Sequence, residues 1–220
     1  YVVAAFAYEM GGLIHKLAQR KNSSAPHPLI EAWSFKSFDK LSKIEVDALI
    51  ANRIAMLEDS QKAAGVLDIH ESLNEEQFSS DIANIQEYIR SGDSYQINHT
   101  YRISGKTYGS PLALYGRLRE RQPGRFGAYI SHADNYLLSQ SPELFIAREG
   151  NTLKAMPMKG TASALSEVAS ALSEDPKNQA ENVMIVDLLR NDLSRVSLPG
   201  TVIVPNLFEV ARHGDVLQMT

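Results

Sequence analysis

A chain of 220 residues, 44% hydrophobic and 22% charged, carries enough apolar side chains for one large domain or two small ones, which excludes a disordered polypeptide. Its formal net charge is −4 and its basic residues are dispersed, so neither nucleic acid nor an anionic membrane is an expected partner. Cysteine is absent, which rules out a disulfide framework and a thiolate ligand or nucleophile and suits a reducing cytoplasm, the expected location.

The first apolar run, YVVAAFAY (1–8), reads as a buried strand ended by Gly11-Gly12. It is far short of the roughly 20 residues of a membrane span, and no targeting segment is visible. The chain opens on tyrosine and stops at Met219-Thr220 directly after an apolar–polar alternation, so a fragment cut at both ends is expected. A polar linker with Pro26 and Pro28 leads to AWSFKSF (32–38), where Trp33, Phe35 and Ser37 alternate with smaller or charged neighbours. Residues 41–58 look helical. The next helix is well marked: Ser72 and Glu75 make a capping box, Phe78, Ile82, Ile85 and Ile89 share one face, and Gly92 stands at the C′ position.

SYQINHTYRIS (94–104) alternates aromatic and aliphatic residues with Gln96, Asn98, Thr100 and Arg102, which predicts a strand. Ser110-Pro111 opens another helix, as N-cap and N1. FGAYIS (126–131), NYLLSQ (135–140) and ELFIARE (143–149) predict an antiparallel meander, and the Glu-Gly-Asn turn at 149–151 sends the chain back through TLKAMPMK. Pro176, three residues after Ser173, starts a long helix through Leu193, and GTVIVPNLFEV (200–210) returns to extended structure.

Three charged residues stand out. Lys159, in MPMKGT (156–161), is either a solvated turn lysine or a site amine set between apolar methionines and a glycine. Met184, Ile185, Leu188 and Leu189 predict the buried stripe of the long helix, and Glu181, three and four residues before the first pair, joins it. An unpaired buried carboxylate is costly, so a positive partner is expected: a structural arginine such as Arg190, or a hard divalent cation. Glu143 follows Pro142 at the start of a strand, a position that suits an exposed carboxylate as well as a site carboxylate.

Taken together, GDSYQINHT (92–100), SPELF (141–145), PMKGT (157–161), AENVMIVDLLRNDLSRV (180–196) and GTVIVPNLFEV (200–210) resemble, in order and near spacing, the chorismate-utilising enzymes. The resemblance covers about residues 72–220. Residues 1–71, FAYEMGG included, are only loosely similar and form an N-terminal part, with 72–220 as the N-terminal portion of the chorismate-binding catalytic domain. The implied fold is α+β, a sandwich of large, mainly antiparallel sheets flanked by helices, here truncated.

Within the family, Lys159 resembles the lysine of the members that aminate chorismate at C4, the aminodeoxychorismate synthases, on the route to 4-aminobenzoate and folate. There the amine is a covalent nucleophile, which requires that it be deprotonated by a neighbour or have its pKa lowered. The resemblance implies that Glu143 is the general acid and that Glu181 is one of two carboxylates holding Mg2+. It further implies substrate contacts from Gly160 and Thr161, and from Tyr95 and Asn98 of a Y-x-N strand, with core packing the other reading of Tyr95. Asp187, Arg190, Asn191 and Asp192 read as a structural network at the helix end. Implied partners are chorismate, ammonia, a glutamine amidotransferase subunit, and an aminodeoxychorismate lyase, fused or separate.

Two departures bear on this reading. Gln218 stands where the family often carries histidine. The second magnesium carboxylate, a G-A-P-K segment and an arginine and glycine-rich loop are expected beyond residue 220, so the isolated piece is expected to be inactive. An anthranilate, isochorismate or salicylate synthase with a bystander lysine, and a non-catalytic relic, remain as alternatives.

Overall fold

Valine and aromatic side chains draw Val2–Phe6 (β1) and Ile30–Ser34 (β2) into an antiparallel pair, with Val2 opposite Ser34 and Phe6 opposite Ile30. The structure, a computed structural model, describes residues 1–17, 28–166 and 168–220; Pro26 of the expected linker lies outside the described residues. It divides into two units, Tyr1–Leu49 and Ile50–Thr220. In the first, β1 has β2 as its one strand partner among the described residues and its Val2 and Phe6 are exposed, so the expected buried strand is an edge of a two-stranded sheet. Gly11 and Gly12 lie within a short helix, Met10–Ile14 (α1), and not at the strand end. A capping box does occur in this unit: the Ser42 N–H donates to Glu45 Oε2 at 2.7 Å and the Glu45 N–H to Ser42 Oγ at 3.3 Å. Hydrogen bonds from Ser42 to the Glu45 carboxyl, from the backbone N–H first and from the side chain second, hold that carboxyl below its ordinary pKa.

Ser42 opens Lys43–Ala55 (α2), and Asp59–Lys62 (α3) follows; the helical expectation over 41–58 is met by α2. In the second unit, Gly65–Glu71 (β3) pairs antiparallel with Ile103–Tyr108 (β4), and Glu75–Arg90 (α4) lies between them in sequence. α4 is capped by Asn74, whose Oδ1 accepts from the Gln77 N–H at 2.8 Å. Ser72 is therefore not the cap. Its hydroxyl instead accepts from the Arg102 N–H at 2.9 Å, which closes the end of the β3–β4 ladder. Gly92 takes φ +81° just past the helix, as expected of C′.

Residues 94–102 are not a strand, despite their alternation. The ladder ends at Glu71–Ile103 because β3 gives way at Ser72 to the turn into α4; beyond the Ser72 N–H bond to the Arg102 carbonyl, the segment between Ser94 and Arg102 has no strand beside it among the described residues. Side chains anchor it instead: His99 Nε2 lies 3.1 Å from Asp81 Oδ2, and Phe78 packs edge-on against the rings of His99 and Tyr101.

Pro111–Arg121 (α5) starts as predicted, with Ser110 Oγ accepting from the Leu112 N–H at 3.2 Å. Its buried Ala113, Tyr115 and Gly116 include a glycine whose Cβ would strike Ile54 at 2.8 Å, so α5 and the end of α2 are in close contact. Phe126–His132 (β5) pairs with Asn135–Ser141 (β6), and Leu144–Glu149 (β7) with Thr152–Met156 (β8). The predicted meander is thus two hairpins among the described residues, interrupted at Pro142, which has no N–H for a ladder.

The last third holds the core. Thr161–Ser163 (β9), Val210–His213 (β10) and Val216–Met219 (β11) make a three-stranded antiparallel sheet in the order β10-β11-β9. Ala169–Glu174 (α6) sets Leu172 against Ala162, Leu217 and Met219, all buried. Pro176–Ser194 (α7) is capped by Asp175, whose Oδ1 accepts from the Asn178 N–H at 2.7 Å. The extended expectation for 200–210 holds as a strand only from Val210. The fold is α+β with antiparallel sheets, each two or three strands wide among the described residues. No helix among the described residues is long and apolar enough to cross a membrane.

Candidate functional site

Between β8 and β9 the chain runs through Pro157, Met158, Lys159 and Gly160, and β11 grips this segment from one side. The Lys159 N–H donates to the Met219 carbonyl at 2.9 Å and the Met219 N–H donates to the Gly160 carbonyl at 3.1 Å. Gly160 sits at φ +85°, a left-handed conformation that costs an L-residue about 1–2 kcal/mol. A Cβ there would meet the Asn178 side chain at 3.2 Å. Glycine therefore lets the turn form and lets the first turns of α7 close on it. Thr161 is exposed and pairs with Gln218 across the β9–β11 ladder, so their side chains share a face. Gln218 Oε1 is buried without a hydrogen-bond partner among the described residues.

Glu143 precedes β7, where Pro142 has ended the previous strand. Its carboxylate is exposed and accepts the Met158 N–H at 3.3 Å, the backbone group immediately before Lys159. The Ser141 hydroxyl donates to the Glu143 carbonyl at 3.0 Å and fixes the local turn. Lys159 is half-buried, and its ammonium makes no hydrogen bond or ion pair with any described residue.

α7 differs from expectation in its rotation. Met184 and Leu188 are exposed, and the covered stripe runs through Asn178, Asn182, Ile185, Val186, Leu189 and Leu193. Glu181 lies on the flank of that stripe, its side chain 46% exposed, with Lys177 Nζ 4.0 Å away. It is not a deeply buried carboxylate, and the weak exposed pair with Lys177 needs no compensating partner. Arg190 is not its partner either, because it pairs with Asp187 at 2.7 Å.

Three elements therefore come close together: Glu143 holds the backbone at Met158, Lys159 follows, a Cβ on Gly160 would lie 3.2 Å from the Asn178 side chain, and Glu181 stands one helical turn beyond Asn178. Tyr95 and Asn98 are different. Tyr95 is 72% exposed, Asn98 Oδ1 accepts only from Gln96 at 3.3 Å, and no hydrogen bond or ring contact among the described residues joins either to the Lys159 segment. Three cavities among the described residues border β8: one of about 80 Å³ bounded by Arg125, Met156, Met158 and His213, one of about 410 Å³ between β8 and the α7 stripe, and one of about 1000 Å³ bounded by Arg148, Thr152, Leu193 and Ile203. None of the three is lined by Lys159, Glu143 or Glu181.

A hard divalent cation needs several oxygen donors converging at one point. Among the described residues no three carboxylate or imidazole groups gather in this way. Glu181 fits as one oxygen ligand and does not by itself make a site. Reasoning from sequence missed Asn178 and Asn182; the signal was their four-residue spacing in register with Ile185, Val186 and Leu189.

Comparison with known proteins agrees with this architecture. A family profile described as chorismate binding enzyme matches residues 2–220, and the chain belongs to that family. It is 43% identical over 156 residues to an aminodeoxychorismate synthase, chloroplastic, of Arabidopsis thaliana, covering 66% of this chain and 17% of that protein. It is 36% identical over 149 residues to aminodeoxychorismate synthase component 1 of Escherichia coli (strain K12), covering 65% and 33%. It is also 36% identical over 156 residues to anthranilate synthase component 1 of Streptomyces coelicolor, covering 68% and 30%. The aligned region thus spans a third or less of these relatives' length. The crystal structure of anthranilate synthase component I from Streptococcus pneumoniae TIGR4 superposes with a TM-score of 0.72 at 19% identity, covering 99% of this chain and 56% of that one, which establishes the fold.

Proposed function

We propose that this chain is part of an aminodeoxychorismate synthase component I, which replaces the C4 hydroxyl of chorismate with ammonia through a covalent lysine adduct. The observation that carries the reading is Lys159, half-buried and without a salt-bridge partner among the described residues, in a turn whose preceding N–H is held by a carboxylate. The similarity to the aminodeoxychorismate synthases of Arabidopsis thaliana and Escherichia coli supports it.

A neutral Lys159 amine is the nucleophile: its lone pair forms a bond to C2, the diene electrons shift, and the C4–O bond breaks. Glu143 delivers a proton to the departing oxygen, which leaves as water. Ammonia then bonds to C4, the electrons shift back, and the C2–N bond to Lys159 breaks, returning the amine. Occupation of C2 by lysine directs ammonia to C4. Glu181 would be one oxygen donor to a magnesium ion, which would supply charge neutralisation. Gly160 and Thr161 contact the substrate through backbone and hydroxyl; Tyr95 and Asn98 contact it only if segment 94–102 moves onto it. A glutamine amidotransferase subunit supplies the ammonia, and a lyase, fused or separate, acts on the product in the cytoplasm.

The test is product analysis of the intact protein with chorismate and an ammonium salt. The expected product is 4-amino-4-deoxychorismate. Lys159→Ala abolishes it or diverts amination to C2, and Glu143→Gln slows turnover by about 10²–10⁴-fold. Unchanged product and rate in Lys159→Ala would overturn the proposal. The second reading, an anthranilate synthase, is favoured by the identity to the Streptomyces coelicolor relative and predicts anthranilate from the unaltered protein.

A further inference from the structure

The three cavities beside β8 follow one another along the strand and shrink toward the Lys159 turn. The widest, of about 1000 Å³, opens between Arg148 at the end of β7 and Arg195 just past α7. It shares Thr152, Leu153, Leu193, Val202 and Ile203 with the cavity of about 410 Å³, so the two adjoin. That cavity in turn shares Met156, Glu209 and Thr220 with the smallest, of about 80 Å³. The shared residues run up β8 from Thr152 to Met156, roughly 13 Å of strand. The last cavity ends on Pro142 and Met158, the residues immediately before Glu143 and Lys159.

The opening exists because β8 is paired on one edge only. β7 takes that edge, and on the other side, among the described residues, stand α7 and the extended run 202–205, which joins no ladder. The middle of the row is apolar, lined by Leu153, Met156, Val186, Leu189, Leu193 and Val204, while Arg190 is held by Asp187 and Glu209 by Asn206. Desolvation decides what passes such walls: a charged species gives up hydration that they do not replace, whereas a small neutral molecule gives up little. Chorismate, with two carboxylates, fails on charge and at the narrow end on size. Ammonia passes on both counts, and ammonium is turned back by the apolar middle and disfavoured by the two guanidinium groups at the mouth.

We propose that this row of cavities is the route by which ammonia reaches the Lys159 site, from the mouth between Arg148 and Arg195 to the backbone at Met158. Arrival as the neutral molecule matters, because protonated ammonia has no lone pair with which to form a bond to C4. The proposal rests on the reading of Lys159 and Glu143 as the reacting groups, and it adds where the second nucleophile enters.

The intact protein, together with its ammonia-supplying subunit, is assayed with glutamine and, separately, with an ammonium salt, whose ammonia enters from bulk solvent. Val204→Trp, which fills the middle cavity, is expected to lower the glutamine-dependent rate about tenfold or more and to change the ammonium-dependent rate by less than about twofold. An equal fall in both rates, or no fall in either, overturns the proposal. Xenon gives a reading that does not depend on activity, because it settles in dry apolar cavities. Crystals of the intact protein under xenon pressure are expected to hold it between Leu153, Leu189 and Val204, and no xenon there overturns the proposal as well. Should Val204→Trp not fold, Leu189→Phe and the xenon position decide. Were Lys159→Ala to leave the product unaltered while the two rates still separated in Val204→Trp, the lysine reading would be wrong and the route right. Loss of product in Lys159→Ala with no separation of the rates keeps the lysine and discards the route.

Discussion

Two segments of the same unit were both expected to face a substrate, and the fold treats them oppositely. Lys159–Thr161 is held by hydrogen bonds to Met219, by the close approach of Asn178 and by a buried cluster in the adjoining strands. Segment 94–102 has no ladder and rests on one imidazole–carboxylate contact, the packing of Phe78 and the Ser72 bonds at its end. Pre-organised chemistry needs the first kind of support, because a displaced nucleophile loses the advantage of proximity. The second kind suits a segment that moves when something binds.

The sharpest way to break this contrast is to hollow out the support under Lys159. Met219 is fully buried, and Met219→Ala is expected to cost about 2–5 kcal/mol in a urea titration. Tyr95→Ala, at an exposed position, is expected to stay within about 0.5 kcal/mol of the parent. Similar losses at the two sites would mean that the segments are equally embedded.

Next in size is a pair of glycines. Gly160 and Gly92 both have positive φ, but a Cβ meets Asn178 at 3.2 Å in the first and nothing within 4 Å in the second. Gly92→Ala carries the left-handed strain alone, about 1 kcal/mol, and Gly160→Ala is expected to exceed it by the cost of shifting Asn178. Equal melting temperatures for the two variants would remove the claim that α7 closes on the turn.

These contrasts also mark how far the sequence could be read. Helices α5 and α7 were legible because Ser110-Pro111 and Pro176 obey local rules of capping and fixed φ, which need no knowledge of the rest of the fold. The hairpins β5–β6 and β7–β8 were legible for the same reason. The strand expected at 94–104 failed because alternation records only what a segment can do; whether a neighbour offers backbone groups depends on where β3 turns away. The stripe of α7 was rotated because Met184, Ile185, Leu188 and Leu189 supply apolar residues on more than one face, so composition cannot choose between them. Lys159 stood out through its flanking motif. Asn182 did not, since one polar residue in an apolar stripe acquires meaning only when its burial is known.

The smallest expected effect tests the loosely held segment directly. The Asp81 carboxylate, partly exposed, lies 3.1 Å from the half-buried His99 ring nitrogen. Asp81→Asn keeps the shape of α4 and removes the charge, so a loss of only about 0.2–1 kcal/mol is expected, the range of a solvent-screened pair. What should change is local: amides of residues 94–101 exchange faster by a fewfold, whereas those of Lys159 and Met219, held in a separate ladder, keep their protection. If both sets accelerate together, the two segments unfold as one cooperative piece and the difference between them is only apparent. If neither moves, Phe78 alone holds the segment down, and its mobility cannot be controlled through α4.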